Sequence, residues 1–143
     1  MTGYLEWSFK LSLVVYATTA PGGGIDADGI TSERGQFRFP LESADAEVGA
    51  WEFSGSVALK AHYGMPLVTF AQLRLRREAD GSYVLEMSPD DGPRVDAFVL
   101  GAPVEEADEL RFTRVSLTKV GSDMFQGYYG AGEEFDPLQV HLS

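Results

Sequence analysis

Cysteine is absent from this 143-residue chain. That absence excludes disulfides, thiolate nucleophiles, Cys-ligated zinc and Cys-held iron–sulfur clusters together. Basic residues are scarce: Lys and Arg total 11 against 22 Asp and Glu, for a formal charge of −11. Nucleic-acid binding draws its affinity from cations set against phosphates, so this balance argues against it, and equally against docking on anionic lipid. No run of about 18 apolar residues occurs, so the sequence predicts no membrane span. The opening Met1-Thr2-Gly3-Tyr4-Leu5-Glu6-Trp7 has no basic segment followed by an apolar core. It shows no signal peptide, so the expectation is either a cytoplasmic location for the chain as it stands or a processed or trimmed chain. Nucleotide and hydrolase signatures are missing as well. Gly22-Gly23-Gly24 is not followed by Gly-Lys-Ser/Thr, and there is no Gly-x-Ser-x-Gly elbow and no His-Glu-x-x-His.

What is present suits a folded, turn-rich β protein. Apolar residues make up 44% of the chain, aromatics 12%, and glycine occurs 16 times. The length predicts one domain over residues 1–143, long enough for a real core. Residues 4–18 read two ways. Tyr4, Trp7, Leu11, Val14 and Val15 follow helical spacing, whereas Phe9, Leu11, Leu13 and Val15 alternate like a strand. Helix is favoured for the first part, with Thr2 as its N-cap, ending before Pro21-Gly22-Gly23-Gly24. Strands are predicted at 36–39, ending at Pro40, then 51–61, 67–77, 83–87, 95–100, 110–117 and 138–142. Asp80-Gly81 supplies a hairpin turn. Thr118 is placed to cap a short helix through Phe125, with Gly127 ending it. The fold class is therefore mainly β: an antiparallel sandwich or barrel with one or two short helices.

Residue chemistry alone points to no reaction. Glu105-Glu106-Ala107-Asp108-Glu109, Asp26-Ala27-Asp28-Gly29 and Glu133-Glu134 with Asp136-Pro137 read as solvated loops or turns. Arg74, Arg76 and Arg77 read as the outer face of a strand, with pairing to an anionic ligand the lesser alternative. His141 sits on the polar side of the last strand, and His62 closes the patterned segment 51–61.

Four stretches change this reading. They are Trp7-Ser8-Phe9-Lys10 with Tyr16; Phe37-Arg38-Phe39-Pro40; Phe53-Ser54-Gly55-Ser56-Val57 running on to His62 and Gly64; and a closing block. That block holds Leu117-Thr118, Gly121, Phe125-Gln126-Gly127-Tyr128-Tyr129, Gly132 and Asp136-Pro137. In this order the four resemble the Htaa domain of haem-uptake proteins from corynebacteria and other actinobacteria, over almost the whole chain.

The resemblance implies a haem-binding, non-enzymatic protein. It implies ferric haem as cofactor, with Tyr16 as the iron ligand and His62 hydrogen-bonded to that tyrosine. Tyr129 would lie near the same site, with Tyr128 beside it in sequence. Trp7, Phe9, Met65, Met124 and Phe125 are candidate walls of the cleft, and Arg38 or Lys10 candidate partners of the propionates. The partners implied are haem itself and a haem-donating or haem-accepting protein, with a role in acquisition, storage or transfer. Relatives are secreted or surface-anchored, which the visible chain does not show. The alternative that stays open is a structural or interaction β domain, in which Tyr16 and His62 only pack.

Overall fold

The computed structural model describes residues 2–88, 92–126 and 128–142, with His62 described in its backbone alone. The fold is mainly β, as expected: a curled antiparallel sheet, half a barrel, with two helices. Its strands are β1 (Tyr4–Trp7), β2 (Gly24–Asp28), β3 (Thr31–Glu33), β4 (Gln36–Asp45), β5 (Ala50–Phe53), β6 (Ser56–Lys60), β7 (Pro66–Ala71) and β8 (Arg74–Arg77). There follow β9 (Tyr83–Met87), β10 (Val95–Leu100), β11 (Val104–Glu106), β12 (Glu109–Phe112), β13 (Val115–Leu117), β14 (Glu134–Phe135) and β15 (Leu138–His141). The helices are α1 (Leu11–Thr19) and α2 (Lys119–Met124). The large sheet runs β11-β12-β15-β1-β4-β5-β8-β9-β10-β13-β14, with β3 on β4; the small one is β2-β6-β7.

The helix expected at the start of residues 4–18 is a strand instead. β1 is interior to the sheet, paired with β4 on one edge and β15 on the other, and Leu5 and Trp7 point inward. Two flanking ladders satisfy its backbone on both edges, which outweighs a helical spacing of five residues. Helix begins only at Leu11, so Thr2 caps nothing. The strand expected to end at Pro40 continues to Asp45. Pro40 lies opposite Tyr4, the first residue of β1, and Leu41 N resumes the ladder by donating to Gly3 O at 2.8 Å. The Asp26-Ala27-Asp28 stretch lies in β2 and only Gly29 turns. The acidic segment 105–109 is most of a hairpin, β11 with β12, and Glu134 lies in β14.

Three further segments each divide in two. The run 51–61 gives β5 in the large sheet and β6 in the small one. Between them Gly55 adopts φ +91°, and a Cβ there would overlap Ile30 and the Gly29 carbonyl. Across from it, 67–77 divides into β7 and β8 at Gln72, at φ 58°. β5 pairs with β8 and β6 with β7, so this is one long hairpin bent at a shared corner from one sheet into the other. The run 110–117 likewise gives β12 and β13.

Inside the curl, aromatic rings fill the core. Trp7 meets Phe9, Phe70 and Phe98 edge-on, with centroids 5.1, 5.6 and 5.1 Å away. Phe9 stacks on Phe70 at 3.8 Å, nearly parallel, and on Phe37 at 5.0 Å. Phe9 achieves this with a left-handed backbone, φ 61°, a conformation that costs a bulky residue on the order of 1–3 kcal/mol. Burial of the ring between two others offsets it. We predict that Phe9→Ala lowers the free energy of unfolding by about 3–5 kcal/mol, read from urea denaturation. A loss below about 1 kcal/mol would show that the Phe9 stack does not organise the core.

Candidate functional site

The chain leaves β1 through Ser8-Phe9-Lys10 and enters α1, the helix that carries Tyr16. The side chain of Lys10, the N-cap residue, does not cap this helix. The missing acceptor comes from the far end of the chain. The Asp136 carboxylate accepts from Leu11 N at 3.0 Å and from Ser8 Oγ at 3.1 Å. The Asp136 carbonyl accepts from Trp7 Nε1 at 2.8 Å, and its N–H donates to Phe9 O at 2.7 Å. One residue thus fixes the strand–helix joint at four points, with an anion at a helix N-terminus where the free N–H groups favour it. On its inner face α1 buries Leu13 and Ala17 and leaves Tyr16 42% exposed.

The other end of α1 is fixed by the glycine run. A Cβ at Gly23 would overlap the carbonyls of Ala17 and Lys60, so only glycine lets the helix end approach β6 this closely. Beyond β6, residues His62–Gly64 form a tight turn kinked at Tyr63, which is left-handed at φ 57°. Tyr63 N donates to Pro21 O at 2.9 Å and Gly64 N to Gly22 O at 3.0 Å. These bonds tie the backbone of the His62 turn to the loop that follows α1. The side chain of His62 lies outside the described residues, as does Gly127.

Tyr16 faces a cleft of about 320 Å³, lined by Leu13, Tyr16, Leu67, Phe125, Gln126, Tyr128 and Tyr129. Two of the three expected site residues, Tyr16 and Tyr129, therefore share one cavity although 113 positions separate them (129 minus 16). Tyr128 lines it too, and is 74% exposed. Tyr129 is held from behind, its ring edge-on to Phe125 at 5.4 Å and to Phe135 at 5.5 Å. Its carbonyl accepts from Ser122 Oγ at 2.6 Å. Ser122 belongs to α2, whose N-cap Thr118 accepts from Gly121 N as the sequence leads one to expect. A second cleft, about 460 Å³, shares Leu67 and Gln126 with the first and extends along β7 to Met124 and Val120.

The expected walls divide. Phe125 lines the first cleft and Met124 the second. Trp7 and Phe9 are fully buried core, and Met65 stands 66% exposed. Lys10 donates to Glu134 O at 2.7 Å, and Arg38 is held by Glu6 and Glu33 above the Tyr4 ring. Hydrogen bonding to Glu6 pushes the Arg38 guanidinium above its ordinary range. Arg74 and Arg76 converge on Glu86 of the neighbouring strand, and Arg76 is raised likewise, by Asp96 and Glu78. His141 stacks on Tyr4 at 5.3 Å.

Chemically, the first cleft offers phenol oxygens set among apolar side chains. Phenolate is a hard anionic donor suited to ferric iron. Cavities of roughly 300–1,000 Å³ with apolar walls and a few polar groups are where small molecules and cofactors bind. Leu13, Leu67 and Gln126 complete the lining and were not anticipated. Gln126 lies within the closing block quoted above, which gave it no role, and Leu13 lies three residues before Tyr16, one turn along the same helix. Among the described residues no cluster of three His, Asp or Glu side chains is placed to hold a metal ion, and no helix is long and apolar enough to cross a membrane.

Comparison with known proteins gives a consistent result. The family model described as Htaa matches residues 2–141. Among solved structures, the chain is similar to the C-terminal domain of HtaA from Corynebacterium glutamicum, at 23% identity and TM-score 0.77, covering 96% of this chain and 93% of that one. It is similar to the N-terminal domain of HtaA from the same organism, at 20% identity and TM-score 0.77, covering 100% and 98%. It is also similar to the heme binding protein HtaB of Corynebacterium glutamicum, at 16% identity and TM-score 0.74, covering 98% and 92%. Curated proteins gave no match.

Replacing Asp136 by Ala removes the acceptor of Leu11 N and Ser8 Oγ while its backbone bonds to Trp7 and Phe9 remain. We predict a loss of about 1–2 kcal/mol in unfolding free energy for Asp136→Ala, the cost of a lost helix cap. Chemical denaturation checks it, and an unchanged midpoint would show that the clamp carries no stability.

Proposed function

The chain belongs to the Htaa family, and from that premise we propose that it binds ferric haem in the cleft shared by Tyr16 and Tyr129. The observation that carries this reading is the meeting of these two phenols on one apolar-walled cavity. In it Tyr16 is the iron ligand, and His62 donates a hydrogen bond to the Tyr16 oxygen. Tyr129 is a neighbouring group at the site. The backbone bonds from Tyr63 and Gly64 to the loop after α1 support the role of His62, because they hold its turn at the helix end that carries Tyr16.

The residues present fit the group. A free phenol ionises near pH 10, so ligation at neutral pH requires help. Bound haem supplies a trivalent, oxygen-seeking iron, whose charge favours the phenolate. An imidazole N–H directed at that oxygen fixes its orientation and tunes its basicity. Leu13, Leu67 and Phe125 give the cleft apolar walls beside Tyr16. Protonation of the Tyr16 oxygen would weaken its hold on a bound iron, which suits a protein that takes up haem and gives it away. The function is thus haem acquisition, storage or transfer without catalysis, with a haem-donating or haem-accepting protein as partner.

A hemin titration followed by visible absorbance tests this. Wild-type protein is expected to give a phenolate-to-iron charge-transfer band. Tyr16→Phe keeps the ring, removes the oxygen, abolishes the band and weakens binding by about tenfold or more, that is, 1.4 kcal/mol or more. His62→Ala is expected to weaken binding while retaining the band. Equal spectra and affinities for wild type and Tyr16→Phe would overturn the assignment.

A further inference from the structure

Haem carries two propionates, and a protein commonly meets carboxylates with Arg or Lys. All 11 Lys and Arg residues of this chain lie in the described residues, so their positions can be compared with the cleft one by one. None of them lines either cavity. Lys10 is the cation that approaches the tyrosines. Its Nζ lies 5.9 Å from the Tyr129 ring centre, and is engaged by Glu134 O and, at 3.5 Å, by Glu133. At the second cavity Lys119 pairs with Asp123, an acid that itself lines the wall. Lys60 is held by Asp26 on the neighbouring strand. Arg38, Arg74, Arg76, Arg94 and Arg111 form ion pairs with carboxylates along the large sheet. Arg77 reaches the carbonyl of Ala46, Arg114 packs against Gly101, and Arg34 sits in the β3–β4 turn.

The protein as a whole carries −11, so its long-range field opposes the two carboxylates of the ring. Detaching Lys10 or Lys119 from its partner to meet a propionate would leave a carboxylate unpaired, and the exchange gains little.

We propose that the cleft selects its tetrapyrrole by the metal and the apolar face of the ring, without using the negative charge of the ring's carboxylates. This rests on the haem-binding reading above and deepens it, because it defines the ligand class: ferric tetrapyrroles, irrespective of how many carboxylates they bear. Recognition then comes from the Tyr16 oxygen on the metal and from Phe125, Leu13 and Leu67 on the ring face, none of which offers a positive charge to a carboxylate.

The test compares hemin with ferric protoporphyrin IX dimethyl ester. Both are titrated into the intact chain in the same aqueous–dimethyl sulfoxide buffer, and binding is read from quenching of Trp7 and Trp51 fluorescence. The expected result is that the ester binds no more than tenfold more weakly than hemin. A loss of tenfold or more for the ester, with hemin still bound, overturns the proposal and leaves the haem site standing. Failure of hemin itself to bind overturns the haem-binding reading, and this proposal with it.

Discussion

The backbone and carboxylate of Asp136 close the structure at the point where β1 becomes α1. Through them the Trp7 indole, the Phe9 carbonyl, the Ser8 hydroxyl and the first N–H of α1 all answer to one residue. The constraint propagates in both directions. Inward, it fixes the Trp7 ring against which Phe9, Phe70 and Phe98 pack edge-on. Outward, it fixes the start of a nine-residue helix, and with it the height at which Tyr16 meets the cleft. Gly23 does the corresponding work at the other end by letting the helix rest on β6. A short helix would be marginal by itself in water, and these two tertiary anchors stabilise it.

How far the sequence revealed this can be traced through particular residues. Alternation located most strands, because each has one face on the core. It could not reveal the corner at Gly55, where the inward parity continues unbroken: Trp51 and Phe53 before it, Val57 and Leu59 after it, all face inward. On the partner run the parity does slip, from Val68 and Phe70 to Leu73 and Leu75, and that slip marks the bend at Gln72. Residues 4–7 read as helix because Tyr4 and Trp7 run on into Leu11 at helical spacing, while Leu11 and Val15 satisfy both periods, and only pairing with strands remote in sequence decides for β1.

The cleft was legible in two of its tyrosines and illegible in its supports. Tyr16 and Tyr129 stood out through the resemblance to the Htaa domain, and they do line one cavity. Nothing local marks Asp136 as a helix cap, since its partner N–H lies 125 residues earlier. Leu67 looked like any strand residue, and it becomes a wall only because its own run turns a corner at Gln72 and carries β7 into the small sheet. Ionic organisation was equally hidden. Eleven cations could be counted, but which carboxylate each one faces depends on strand register.

The position of β1 bears on the order in which the molecule is made. Synthesis delivers residues 4–7 shortly before residues 36–45, so one flank of β1 is covered soon after it emerges. Its other flank waits for residues 138–141. Until those residues emerge that flank is an unpaired strand margin, open to any segment with the right pattern, including the matching segment of a second nascent copy. Native closure is therefore a race between the chain's own final strand and a neighbour's, and dilution favours the former.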